Sequence, residues 1–303
     1  MNQGIVWSLD SYFSEFNGKE MLEFKSSLKN DIDRIKTSAE NLSSITPENL
    51  ENWQQLVVDF EEVATRLSHY SSYIGCLGAA DANNEDYQKA SAELSGIGAE
   101  FGKIEIYLKM GLKTCNDENF KKLCQLPKLK DISFFLNELR IAAQKTMDKE
   151  LETLASDLGV DGFDSWGRLY DNISGKLCFS MQWPDGRVEE MPIAQCRSTM
   201  QDSDRRVRQS AFENGNKAWQ KVEDVCAACL NAIAGNRLLL NERRGIGHFL
   251  EVPLRQSRIS ARTLEAMFQA IEDSNDFIQK LGRAKAKALG QQKLAWYDCE
   301  APL

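Results

Sequence analysis

Proline and histidine are both scarce in this chain. Six prolines in 303 residues leave long stretches with nothing to interrupt a helix. The two histidines, His69 and His248, lie too far apart in sequence to form a local ligand motif. Each reads as a structural or surface residue. HExxH, GxSxG, a phosphate-binding loop and a dinucleotide fingerprint are all missing. Excess positive charge is missing too. The net charge is −8, so a nucleic-acid backbone would be repelled and nucleic acid is not an expected partner. No apolar run reaches the length of a membrane span, and no membrane partner is expected. Met1 to Asp10 lacks the basic region and apolar core of a signal peptide. The eight cysteines follow no framework spacing. Without an export signal they read as free thiols in a reducing cytoplasm.

What is present is helical periodicity. Hydrophobic residues make up 42% of the chain, an ordinary share for a globular protein. The organising stretch is Gln201 to Gly245. It opens with Asp202, Ser203 and Asp204, any of which can cap a helix. Val207, Ala211, Ala218, Val222, Cys226, Cys229, Leu230, Ile233 and Leu240 then recur at three- and four-residue steps. Arg243, Arg244 and Gly245 supply a basic, glycine-terminated end. One continuous helix of roughly 40 residues, ~60 Å long, is expected there.

Earlier in the chain, Met21, Phe24, Leu28, Ile32, Ile35 and Leu42 mark a first helix. Thr46 and Pro47 restart the chain as N-cap and first helical residue. Leu50, Trp53, Val57, Phe60, Ala64, Leu67 and Ile74 mark a second helix. Asp81 to Asn84 form a polar break. Tyr87, Ala90, Leu94, Ile97, Phe101, Ile104 and Leu108 mark a third helix at the same near-heptad spacing. Two such helices joined by a short turn predict an antiparallel hairpin. Thr114 to Leu129 is less regular, with Pro127 as a breaker. Helices are expected at Ile132 to Ala143 and at Lys149 to Leu158, the second ended by Gly159. A short one follows at Phe163 to Ile173.

Lys176 to Trp183 breaks the helical pattern. It alternates over part of its length, meets Pro184-Asp185-Gly186, and is followed by Arg187 to Met191. That predicts a β-hairpin, which must lie on helices or pair with strands from elsewhere. Further on, Ser260 can cap a helix through Leu264, Met267 and Ile271. Another takes Phe277, Leu281, Ala284 and Leu289 and stops at Gly290. The fold class is therefore mainly α: long antiparallel helices with one β-hairpin near 176–191. The ending, Leu294 to Leu303, is apolar and aromatic, which reads as a cut and as surface that a missing part would cover.

The residues carry little chemistry by themselves. Cys226 and Cys229 form the single CxxC, but they lie on the apolar stripe, where cysteine behaves as a small buried hydrophobe. Arg205, Arg206 and Arg208, and likewise Arg243 and Arg244, read as surface charge flanked by Asp202, Asp204 and Glu242. Binding of an anion or a peptide carboxylate is the competing reading of these arginines. Glu61-Glu62 and Glu189-Glu190 are adjacent and read as solvated carboxylates.

Several segments resemble oligoendopeptidase F. They are Ala228 to Gly235, Asn241 to Gly245, Ile259 to Met267, and Lys285 to Gly290 followed by Trp296-Tyr297-Asp298 and Ala301-Pro302-Leu303. Asp161-Gly162-Phe163 with Trp166, and the stretch from Asp202 through Arg205 to Ala211, are similar to it as well. The resemblance is clearest from about Glu150 to Leu303 and weak before Met110. It implies a zinc metallopeptidase that cleaves oligopeptides in a channel between helical lobes. In that family two histidines of HExxH and a later glutamate hold zinc, and the HExxH glutamate is the general base. That motif comes well after the Trp-Tyr-Asp segment, so no catalytic or metal residue is assigned to any position here.

On this reading residues 1–175 form an N-terminal helical lobe. Residues 176–303 begin the catalytic helical domain and stop before the zinc motif. The expected partners are oligopeptide substrates and the missing C-terminal catalytic half, with a homo-oligomer also open. Zinc belongs to the complete enzyme by resemblance, and none is expected on this chain. The alternative is a stand-alone helical binding or scaffold protein derived from that lobe, without catalysis.

Overall fold

A computed structural model of the chain describes residues 7–303. Met1 to Val6, and with them much of the segment read for a signal peptide, lie outside the described residues. The described chain is mainly helical, with a single two-stranded sheet among its described residues. No described helix is long and apolar enough to cross a membrane.

Helix α1 (Lys19–Asn41) buries Met21, Leu28, Ile32 and Ile35 along one face, as its spacing predicts. A 3₁₀ turn follows at Pro47–Asn49, where the Asn49 side chain accepts the Thr46 N–H at 2.8 Å. It leads into α2 (Leu50–Ala80). Asn84 then caps α3 (Glu85–Thr114) by accepting the N–H groups of Asp86 and Tyr87. Side-chain pairing fixes the helix directions. Phe60 stacks on Phe101 with ring centroids 4.8 Å apart, while Trp53 meets the bare backbone of Gly111. Residue numbers run in opposite directions across that contact, so α2 and α3 are antiparallel. Arg66 of α2 bonds Asp31 and Ser27, and Arg34 of α1 bonds Asp59, so α1 and α2 are antiparallel too.

The stretch after Thr114 is more ordered than its pattern suggests. It holds α4 (Asp117–Cys124), opened by the Asn116 side chain accepting the Asn119 N–H. Then come α5 (Ser133–Ala143) and α6 (Lys149–Gly159). Gly159 does not end its helix. It keeps helical angles (φ −61°, ψ −31°), and the chain continues through a π turn, Val160–Asp164, into α7 (Ser165–Lys176). A glycine stops a helix by turning left-handed, and this one does not turn.

The β-hairpin forms as expected. Strand β1 (Cys178–Gln182) pairs antiparallel with β2 (Val188–Pro192), with Phe179 opposite Met191 and Met181 opposite Glu189. Gly186 takes φ +89° in the turn, a conformation that glycine adopts without strain. Of the two supports open to the hairpin, helices are the one used. Phe179 and Met181 are buried in one cluster with Val207, Ala211 and Ala218.

A short helix, α8 (Ala194–Thr199), leads to α9 (Arg205–Gln220). Here the single long helix expected over 201–245 is corrected. The Lys221 and Val222 N–H groups bond back three residues, to Ala218 and Trp219, which closes α9. A new helix, α10 (Glu223–Arg243), then starts with the Cys226 N–H on the Val222 carbonyl. The apolar spacing persists across a kink this short, so periodicity alone cannot separate one helix from two. The halves also bury different amounts: α9 buries Val207, Ala211 and Ala218, whereas α10 buries only Cys229. The chain ends with α11 (Glu251–Gln256), α12 (Ala261–Asp273), α13 (Asn275–Ala288) and a 3₁₀ turn, Trp296–Asp298. Ser260 caps α12 by accepting the Thr263 N–H at 3.1 Å, and Gly290 turns left-handed after α13.

The chain divides into two compact units. One takes the described residues up to Trp166 together with Gly235–Gly245. The other takes Gly167–Ala234 and Ile246–Leu303. The first unit is organised on the α1, α2 and α3 core. The second is organised on the packing of α9 against the hairpin.

Candidate functional site

The charges singled out in the sequence build two buried ion-pair centres. The first lies in the second unit. Arg208 is only 1% exposed and Asp298 is 0% exposed. Arg208 Nη2 donates to Asp298 Oδ1 at 3.0 Å, and its other donors reach the carbonyls of Asp202, Ser203 and Tyr297. Arg205 closes a fork on the same carboxylate, with Nε and Nη2 each 3.1 Å from an oxygen. The Ala295 N–H supplies a further bond at 3.0 Å. Burial pushes the Asp298 carboxyl up, but the bonds from Arg205, Ala295 and Arg208 together outweigh it and hold the group below its ordinary range. The surface-charge reading is thus corrected for Arg205 and Arg208. Their partner is 90 or more positions away in sequence, so local flanking acids could not reveal it. Arg206 does stay at the surface, on Asp204 at 2.6 Å.

The second centre lies in the first unit. Glu152 is 4% exposed and receives the Arg244 guanidinium at 2.9 and 2.6 Å, plus the Met147 N–H at 2.9 Å. Burial pushes the Glu152 carboxyl up, but these bonds again hold it below the usual range. Arg244 therefore does more than complement a helix dipole: it fixes the end of α10 within this unit. Arg243 remains exposed.

The remaining singled-out residues do not converge. His69 sits among Tyr12, Phe13 and Phe24, with Nε2 3.3 Å from the Tyr12 carbonyl. His248 belongs to the other unit, where its Nδ1 accepts the Leu250 N–H at 3.2 Å. Cys229 is buried as expected, whereas Cys226 is half-buried, because α10 turns only part of its stripe inward. Glu62 pairs with Arg66, Glu189 with Arg187, and Glu190 with the Ser180 hydroxyl. Among the described residues no three His, Cys, Asp or Glu side chains gather where they could hold a metal ion. Among the described residues no donor set fits a zinc centre of the kind implied by the resemblance. No reaction step is derived through one.

The exposed surface carries a different signal. On α12 and α13, Met267, Phe268, Ile271, Phe277, Ile278 and Leu281 are each more than half exposed, Phe277 by 69%. Trp296, Leu303 and, on α10, Leu230, Leu238 and Leu239 are exposed as well. The expectation of apolar surface at the chain end therefore holds in part. Asp298 and Ala301 are buried, and further exposed apolar side chains lie on α12 and α13.

Comparison with known proteins adds the context. Residues 112–179 match the family described as Oligopeptidase F. Of the quoted motifs only Asp161 to Trp166 fall inside that segment. No curated protein matches the chain. Among solved structures, oligoendopeptidase-F from Enterococcus faecium superposes with a TM-score of 0.81 at 15% identity. The match covers 95% of this chain and 56% of that one. A structure provisionally assigned as oligoendopeptidase F from Bacillus anthracis gives 0.63 at 15% identity, over 91% of this chain and 47% of that one. PZ peptidase A, solved with an inhibitor, gives 0.59 at 17% identity, over 90% and 45%. The chain thus spans about half the length of the structures it matches. In its fold, and in the sequence of residues 112–179, it is oligoendopeptidase F-like.

Proposed function

We propose that this chain acts as the N-terminal part of an oligoendopeptidase F-like zinc metallopeptidase of the cytoplasm. One observation carries the reading: 95% of the chain follows the fold of an oligoendopeptidase-F while accounting for 56% of that protein. In the whole enzyme a zinc ion, held by residues outside this chain, would supply the hydrolytic chemistry. This chain's own residues do other work. The Asp298 and Glu152 centres brace the helices, and the helical scaffold forms part of the wall of a channel that admits oligopeptides and keeps folded proteins out. The uncovered face of α12 and α13 is where the catalytic half packs. Six side chains of that size offer roughly 600 Å² of apolar surface, which is favourable to bury by about 15 kcal/mol before the costs of association.

The isolated chain is expected to hold no tight stoichiometric zinc and to leave a fluorogenic oligopeptide intact. Metal analysis after dialysis and a turnover assay check this. One retained zinc per chain, or chelator-sensitive turnover, would overturn it. A strictly monomeric chain that binds no hydrophobic dye would favour the scaffold reading instead.

A further inference from the structure

The second unit contains a cavity of about 510 Å³ beside the Asp298 centre. The size is that of a ligand site, roughly 300–1,000 Å³. Its lining joins aromatic side chains to the apolar Ile193, Cys196 and Met200, with the exposed Trp296 at the rim. Phe212 and Trp219 come from α9, and Trp296 and Tyr297 come from the closing 3₁₀ turn. Phe212 and Tyr297 lie 5.8 Å apart, centroid to centroid.

The wall is held in place from behind. Arg205 lies over the Tyr297 ring at 4.9 Å, Arg208 bonds the Tyr297 carbonyl, and both arginines bond Asp298 next in sequence. On the other side, α8 approaches α9 closely. A Cβ on Gly215 would lie 2.6 Å from Cys196 Sγ, so glycine is needed there for the contact. Such a cavity is preorganised, which lowers the ordering cost of binding.

Charge narrows the ligand class. The lining contains one cation and one anion, Arg197 and Glu300, paired at 3.2 Å, with Arg197 80% and Glu300 44% exposed. Glu300 also accepts from Gln201 at 3.3 Å. A neutral pair of this kind gives no net pull on an ion. It does match a neutral group that accepts at one end and donates at the other, which describes a peptide amide. An aromatic interior beside an amide-matching mouth suits one residue of a polypeptide.

We infer that this cavity binds an aromatic side chain of an oligopeptide, its ring against Trp219 and Tyr297 and its flanking backbone amide at Arg197 and Glu300. The inference rests on the cavity's own lining and does not require the peptidase reading.

The test titrates the full chain with N-acetyl-L-phenylalaninamide, which leaves the indole emission of Trp219 and Trp296 free to report. Ligand-observed NMR serves as a second readout. N-acetyl-L-alaninamide, phenylacetate and phenethylammonium are the comparison ligands. The phenylalanine amide is expected to bind about tenfold tighter than the alanine amide, and tighter than either charged aryl compound. Trp219→Ala is expected to weaken it by about tenfold. Arg197→Ala removes an exposed side chain that the fold does not need, and is expected to weaken it several-fold. Equal binding of the two amides, a preference for either ion, or binding unchanged in Arg197→Ala and Trp219→Ala would overturn the proposal.

Discussion

Replacing Asp298 with alanine tests the physical reading of the second unit. The carboxylate is fully buried and takes five hydrogen bonds: three from Arg205, one from Arg208 and one from the Ala295 N–H. Arg205 is partly exposed and can rehydrate once its partner is gone. Arg208 cannot, because it is buried. It keeps three carbonyl acceptors but loses the carboxylate it is bonded to. Removing one partner of a buried pair costs ~3–5 kcal/mol, and the surviving carbonyl bonds place this case near ~3 kcal/mol. For a unit of this size the loss lowers the melting temperature by on the order of 10 °C. Circular dichroism and tryptophan emission, followed through heat and urea, measure it. Glu300→Gln, at an exposed pair, serves as a control that leaves the transition in place. The sign with pH follows from the depressed carboxyl. The stabilisation is present above the unfolded aspartate value of about 3.9 and is lost as pH falls through the lower folded value. Glu152 adds a loss of the same sign in the first unit. An Asp298→Ala protein that melts with the parent, or a parent whose stability rises toward acid, would refute this reasoning.

Two further outcomes are expected. Gly111→Ala should destabilise the first unit by ~1–3 kcal/mol, because a Cβ there would lie 2.1 Å from the ring of the buried Trp53; urea unfolding measures it, and an unchanged midpoint counts against the close approach of α2 and α3. Thiol titration should label Cys76, Cys178 and Cys299 quickly, and Cys115 and Cys229 only after unfolding; rapid labelling of Cys229 in the folded chain would contradict its burial.

Local chemistry in the sequence carried most of the helices. Ser260 marks the start of α12, Asp81 to Asn84 marks the turn before α3, and the alternation around Phe179 and Met181 marks the hairpin. What escaped was set by context rather than by residue type. Gly159 is compatible with both a helix stop and a helix interior, and only packing selects the interior. Lys221 and Val222 carry no breaker, yet three-residue hydrogen bonds close the helix there. Helices α8 and α11 are six residues each, too short for a period to show. The two ion-pair centres escaped because Asp298 and Glu152 lie about ninety positions from the arginines they meet. A signal for the first did exist: the Trp296-Tyr297-Asp298 and Asp202 to Ala211 motifs both resemble oligoendopeptidase F, and the fold brings Asp298 onto Arg205 and Arg208. The cavity left no such trace, since its walls come from α8, from α9 and from a turn more than seventy residues after α9.

The central proposal is that this chain acts as one part of an oligoendopeptidase F-like peptidase. The direct measurement mixes the purified chain with any separately expressed segment encoded downstream and follows hydrolysis of a quenched fluorogenic oligopeptide. The account predicts a silent chain, a mixture that turns over substrate, and loss of that turnover on adding a zinc chelator. A folded chain and a folded downstream segment that stay silent together, or activity in the chain alone, would contradict it.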